Sequence, residues 1–304
     1  MLTVKKITQL TGHNASVFAL AQGKTDRRFI SGSGDGWVVE WTLDDYEYGK
    51  LIAKTDSNIY ALHSLPDSGR VVAGNMHGGV HWVHLEEEER TKNVQNHEKG
   101  VFALQQVGDF LYSTGGGGML TKWSIEKERT LESLQLSNQS LRGLAYAEKR
   151  QEIAVGASDN SIYILDAESM EIKQKIDNAH ANSVFAVRYS ADEKMLYSGG
   201  RDASLKVWNA VDNYKNISAQ NAHWYTVNTI ALHPRGHIIA TGSRDKTIRF
   251  WDARTFKLLK SLDTIRDGCH VNSVNALLWL PDGTLVSGSD DRSLILWQIT
   301  ENAG

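Results

Sequence analysis

The chain repeats itself, and that repetition constrains its fold more than any other feature. The run Leu196–Trp208 aligns without a gap on Ile239–Trp251. Leu285–Trp297, Phe29–Trp41 and Leu111–Trp123 follow the same template with at most one residue of slippage. The anchor positions Trp41, Trp82, Trp123, Leu165, Trp208, Trp251 and Trp297 recur every 41 to 46 residues, so 304 residues hold seven units. A usual domain of about 150 residues would divide this length into two. A fixed period in the range of about 20 to 50 residues overrides that division and dictates one repetitive architecture.

Each unit reads as four short strands. In the sixth, Thr226–Leu232, Ile238–Gly242, Thr247–Trp251 and Lys257–Leu262 form the run, with Pro234-Arg235-Gly236 as the first turn. All three prolines, Pro66, Pro234 and Pro281, fall between first and second strands, where a fixed φ helps and no ladder N–H is lost. Three prolines against 26 glycines also point to tight turns between antiparallel strands. Four strands cannot bury both of their faces alone, so the units must stack openly or close into a ring. The last unit stops after three strands at Trp297-Gln298-Ile299, while residues 4–10 form an amphipathic strand with no first three before it. Residues 4–10 are therefore expected to complete the seventh unit, leaving no open edge at the junction.

The pair Gly12-His13, the run Ser287-Gly288-Ser289-Asp290-Asp291 and the ending Trp251-Asp252 resemble the WD-repeat β-propeller family, and the resemblance covers essentially the whole chain. It implies an all-β, seven-bladed propeller of four-stranded antiparallel blades spanning residues 1–304 as one unit. It also implies a hydrogen-bonded tetrad within a blade. Four blades carry a complete set: His13/Ser31/Asp35/Trp41, His180/Ser198/Asp202/Trp208, His223/Thr241/Asp245/Trp251 and His270/Ser287/Asp291/Trp297. The third blade has Gly117 in place of Asp, the fourth keeps only Asp159, with Leu165 for Trp, and the second keeps only Trp82. The second is also one residue shorter between Gly74 and its Trp. Repeated Ser, His and Asp look like hydrolase triads. A nucleophile needs exposure, an oxyanion hole and a unique site, whereas a tetrad that recurs once per blade satisfies buried polar groups.

Composition narrows the function classes. A formal net charge of −3 excludes a globally basic nucleic-acid binder. One cysteine, Cys269, allows no intramolecular disulfide and no CxxC zinc site. A reducing compartment fits, and with no apolar run of signal or membrane length the reading is a soluble, cytoplasmic protein. No cofactor and no metal are expected. The run Gly115–Gly118 lacks a following Lys-Ser/Thr and reads as a turn. His77, His81 and His84 look metal-like, yet His81 and His84 point to opposite faces of a strand. The acidic run Glu86–Glu89 reads as a solvated loop, with a basic partner as the alternative.

The positions that similar propellers present at the narrow face carry the functional expectation. The second residue of each first strand gives Phe18, Tyr60, Phe102, Arg142, Phe185, Asn228 and Asn275 around the ring. These aromatics either pack between blades or form a socket for an apolar anchor. Arg201 and Arg244 precede the turn Asp of blades five and six, and Trp224 follows His223, so with Arg142 they make a cationic, aromatic sector. A guanidinium fork suits a carboxylate or phosphate. The resemblance thus implies a non-enzymatic scaffold binding one or more proteins, through a segment with an apolar anchor and an acidic or phosphorylated residue. Two other classes compete. A channel-site hydrolase would need acidic or His side chains converging on the axis, and a ribonucleoprotein subunit would need a broader basic face and salt-sensitive binding.

Overall fold

The computed structural model describes residues 2–46, 48–87 and 90–301. Seven four-stranded antiparallel sheets follow one another along the chain. In the first six the strands pair in chain order; blade one, for example, runs Val17–Gln22, Arg28–Ser33, Trp37–Thr42 and Lys50–Lys54. First strands contact the first strands of both neighbouring blades, including the seventh against the first, so they line a central axis. The architecture is a seven-bladed β-propeller.

The N-terminal strand closes the ring. Leu2–Leu10 is the outermost strand of the seventh sheet, paired with Leu294–Glu301 in a register running from Leu2↔Glu301 to Leu10↔Leu294. It begins two residues earlier than the sequence pattern predicts. The helical segments among the described residues are single turns, Pro66–Ser68 and Thr264–Asp267, the latter capped by the Asp263 carboxylate accepting from Arg266 N–H.

The core lies between blades rather than within them, because a flat sheet must bury each face against another. One cluster joins Trp41 and Phe29 of blade one to Val286 and Leu296 of blade seven; another joins Trp208 of blade five to Ile162 and Ile164 of blade four. Glycine sets how closely the blades approach. A Cβ on Gly74, Gly199, Gly242 or Gly288 would lie 2.6–2.7 Å from a methyl of Val101, Val227, Val274 or Val17 on the next first strand. The glycine excess therefore serves strand contacts between blades as well as turns. Gly116, Gly117 and Gly118 do form the turn between Phe110–Gly115 and Met119–Ser124.

The register corrects one anchor. In blade one Trp41 pairs with Phe29 and Gly32 with Val38. In blade two Gly74 pairs with Val80, but it is Val83, not Trp82, that pairs with Val71 at the anchor position. The hairpin keeps its length, so the missing residue shifts Trp82 by one place, and a one-residue slip moves a side chain to the other face. Trp82 accordingly faces blade three, edge-on to Trp123 at 6.3 Å between ring centroids, while Val83 packs towards blade one. Of the acidic run, Glu86 pairs with Lys24 and Glu87 with Arg90. Glu88 and Glu89 lie outside the described residues.

Candidate functional site: the axial mouth

The four complete tetrads form hydrogen-bonded chains in the buried framework. Trp41, Trp208, Trp251 and Trp297 donate their indole N–H to Ser31, Ser198, Thr241 and Ser287 at 2.8–2.9 Å. Those hydroxyls lie 2.7–2.8 Å from Nε2 of His13, His180, His223 and His270. Nδ1 of each histidine lies 2.9–3.1 Å from Asp35, Asp202, Asp245 or Asp291. An indole only donates and a carboxylate only accepts, so the chain has one direction: the hydroxyl donates to Nε2, and Nδ1–H donates to Asp. Burial opposes ionisation of Asp202, yet the His180 hydrogen bond, with the Ala181 and Ser204 N–H groups, holds its carboxyl down at about 2. All four hydroxyl residues are fully buried, which removes them as nucleophiles.

The irregular blades rewire these bonds. In blade four Ser137 stands 22 positions before Asp159, where His is expected. Its hydroxyl donates to Asp159 at 2.7 Å, and Tyr163 donates to the same oxygen at 2.6 Å. In blade three His97 Nε2 meets Ser113 at 2.7 Å, but its buried Nδ1 has no partner. The metal-like histidines separate: His81 meets the Asn75 amide, and His84 meets Glu128 of blade three at 2.7 Å.

The mouth is built by a repeated backbone irregularity. In every blade the pairing of first and second strands skips one residue, and the skipped residues are Phe18, Tyr60, Phe102, Arg142, Phe185, Asn228 and Asn275. A β-bulge leaves its extra residue unpaired and re-aims the side chain. Here seven bulges send seven side chains to one cavity of about 520 Å³, completed by Met76 and Gly100. The preceding residues, among them Val17, Val101, Val184 and Val227, are fully buried and supply the inter-blade packing. The aromatics are thus left half-buried around the axis.

The ring has an aromatic arc and an amide arc. Phe18 meets Tyr60 edge-on at 5.0 Å, and Tyr60 stacks on Phe102 at 5.7 Å. The Arg142 guanidinium lies 4.1 Å from the Phe102 ring centroid and 5.2 Å from that of Phe185. Asn228 donates to Ser273 Oγ and the Val274 carbonyl, and Asn275 donates to the Val17 carbonyl and Asp290, so both amides are spent on joining blades. Arg142 is different. Its buried Nε has no acceptor, and burial pushes its pKa below the usual guanidinium range, with Tyr60 opposing and Arg201 adding to the shift.

The other residues singled out in the sequence lie outside the cavity lining. Arg201 and Arg244 are exposed with no side-chain partner among the described residues, and Trp224 is 82% exposed, with its backbone N–H donating to Asp245. Sequence reasoning did not single out Met76 or Gly100. Met76 stands in the blade-two turn that lacks the Asp, and Gly100 stands just before Val101 where other blades carry Ser16 or Ser183, so neither residue type marked the site. Among the described residues the mouth lining contains no carboxylate, no group of His, Cys, Asp and Glu is arranged to hold a metal, and no helix is long and apolar enough to cross a membrane.

Comparison with known proteins places this geometry. The repeat family described as "WD domain, G-beta repeat" matches residues 4–42, 172–209, 214–252 and 257–298, just over half of the chain. The crystal structure of the WD40 β-propeller domain of Doa1 superposes with a TM-score of 0.86 at 17% identity, covering 98% of this chain and 97% of that one. Actin-interacting protein 1-2 of Arabidopsis thaliana is 24% identical over 96% of this chain and 48% of its own length. The periodic tryptophan protein 2 homolog of Mus musculus is 27% identical over 42% of this chain and 16% of its own. The chain thus spans about half or less of the length of these curated relatives. With four matched repeats and seven closed blades, the chain belongs to the WD-repeat, G-beta family.

Proposed function

We propose that this protein is a non-enzymatic, cytoplasmic interaction scaffold whose axial mouth holds a partner segment bearing an apolar side chain next to an acidic or phosphorylated residue. The carrying observation is the set of seven bulges that turn Phe18, Tyr60, Phe102 and Phe185 into a socket around Arg142. An aromatic-lined concavity of several hundred Å³ with one polar group at its wall is the usual form of a recognition pocket. Arg142 is the group in it with donors to spare, and burying an acceptor against an unpaired guanidinium gives a charge-assisted, bidentate contact. Arg201, Trp224 and Arg244 are the proposed rim: exposed side chains outside the cavity lining, of which Arg201 acts on the Arg142 charge. The Arabidopsis relative is named for an interaction with actin, which fits an interaction role for the family and assigns no partner here.

Selection from a peptide library that includes phosphoserine tests the reading. Enriched peptides should pair a bulky apolar residue with Asp, Glu or phosphoserine, and binding should fall at least tenfold in Phe102→Ala and in Arg142→Gln. Arg201→Glu with Arg244→Glu should weaken capture while leaving the melting temperature nearly unchanged. Enrichment without acidic residues, or full binding by folded Arg142→Gln, would refute it.

A further inference from the structure

The same bulges that shape the mouth leave a chamber beneath it. One position beyond the ring every blade carries a small residue, Ala19, Ala61, Gly143 and Thr229 among them, so the channel stays open below the aromatics as a cavity of about 430 Å³. Three positions beyond the ring, Ala21, His63, Gln105, Arg188 and Leu278 line it. Arg188 keeps an exposed surface, and that surface opens on this channel. The guanidinium has no hydrogen-bond or ion-pair partner among the described residues, and the chamber lining contains no Asp or Glu. The Arg188 charge is felt by His63, whose imidazole burial depresses to about 4. A guanidinium that is open to the channel and has no carboxylate beside it presents its planar fork of donors to an entering oxyanion.

Arg142 and Arg188 sit on the first strands of adjacent blades, one at ring level and one three residues deeper. At about 3.3 Å per residue that is an axial offset of roughly 10 Å. That offset is longer than a single phosphate, and a chain of phosphates lying along the axis matches it. We propose that the axial channel binds an elongated phosphate-class anion end to end between Arg142 and Arg188, with Gln105 and His63 as additional hydrogen-bonding groups.

Isothermal titration calorimetry at low ionic strength, with inorganic tripolyphosphate and with orthophosphate, tests this. Tripolyphosphate should bind saturably at one per chain, at least tenfold tighter than orthophosphate. Arg188→Gln and Arg142→Gln should each lose at least tenfold, and Arg254→Gln, on an exposed outer turn of blade six away from both cavities, should be unchanged. Melting curves establish that each variant is folded. Absence of saturable binding, equal affinity for the two anions, or unchanged affinity in Arg188→Gln overturns the proposal. Because Arg188 lies below the mouth, Arg188→Gln should keep its affinity for any peptide selected at the ring. Loss of peptide binding with tripolyphosphate binding intact would defeat the docking reading alone.

Discussion

His97 Nδ1 is buried without a partner because Gly117, at the turn position of the tetrad carboxylate, has no side chain to reach it. A Cβ on Gly117 meets no heavy atom within 4 Å, and its φ is not in the left-handed region. Gly117→Asp should therefore restore the fourth member of the blade-three tetrad. Satisfying a buried donor with a carboxylate is worth about 1–3 kcal/mol, which for a chain of this size raises the melting temperature by a few degrees. Scanning calorimetry at pH 7 checks it, and an unchanged or lower transition counts against the assignment.

The two indoles that meet between blades two and three differ in one bond. Trp123 donates to Ser113 at 2.8 Å, whereas Trp82 Nε1 is buried and unpaired. Trp123→Phe strands the Ser113–His97 pair, while Trp82→Phe removes an unsatisfied donor. Both lose similar volume, so their difference isolates the bond. Trp123→Phe should cost about 1–2 kcal/mol more in urea denaturation than Trp82→Phe. Equal costs would place Trp82 back at the anchor position.

Blade number, closure and the four full tetrads were legible because each depends on residue type at fixed spacing, and seven repeats average out local exceptions. The ring residues were legible as a list of positions. What made them converge was not, because a bulge is a backbone event: Phe18 and Asn228 sit in the same skipped place although their side chains share no chemistry. Trp82 misled because tryptophan identity outweighed the one-residue shortening after Gly74, and parity decides the face. Arg188 escaped notice for the opposite reason. Nothing marks a lone arginine in a strand until the ring closes and leaves it without a carboxylate.

Acid sensitivity should set in well above the carboxylate range. Burial holds His63 and His97 at about 4 in the folded chain, below the ordinary 6.5. A depressed histidine is neutral in both states at high pH. As pH falls through 6.5 the unfolded chain takes up the proton first, so stability falls until the folded pKa is reached. Each group accounts for a loss of a few kcal/mol across that window. His13 and His223 shift in the same direction. The melting temperature should drop between pH 7 and pH 4.5, and less steeply in His63→Gln; a flat profile to pH 4.5 would contradict the burial of these rings. A second loss belongs below pH 4, where carboxylates such as Asp202, held at about 2, take up their protons.

The closing strand makes the last prediction the most severe. Leu2–Leu10 supplies the fourth strand of blade seven, and Leu2 and Val4 pack with Ile299 against the cluster that contains Trp297 and Trp279. Lys6 adds a hydrogen bond to the Gly268 carbonyl across the blade-six to blade-seven loop. Removing residues 1–10 exposes the Leu294–Glu301 edge and takes away its partner in every pair from Leu2↔Glu301 to Leu10↔Leu294. An exposed apolar edge both destabilises a ring and invites pairing between chains. The truncated protein should melt at least 10 °C lower and elute partly as dimers or larger species in size-exclusion chromatography. Adding a synthetic peptide of residues 1–10 in excess should recover part of the loss by mass action. A monomeric truncation with the wild-type melting temperature would mean that the other six blades and three strands hold the ring without this strand.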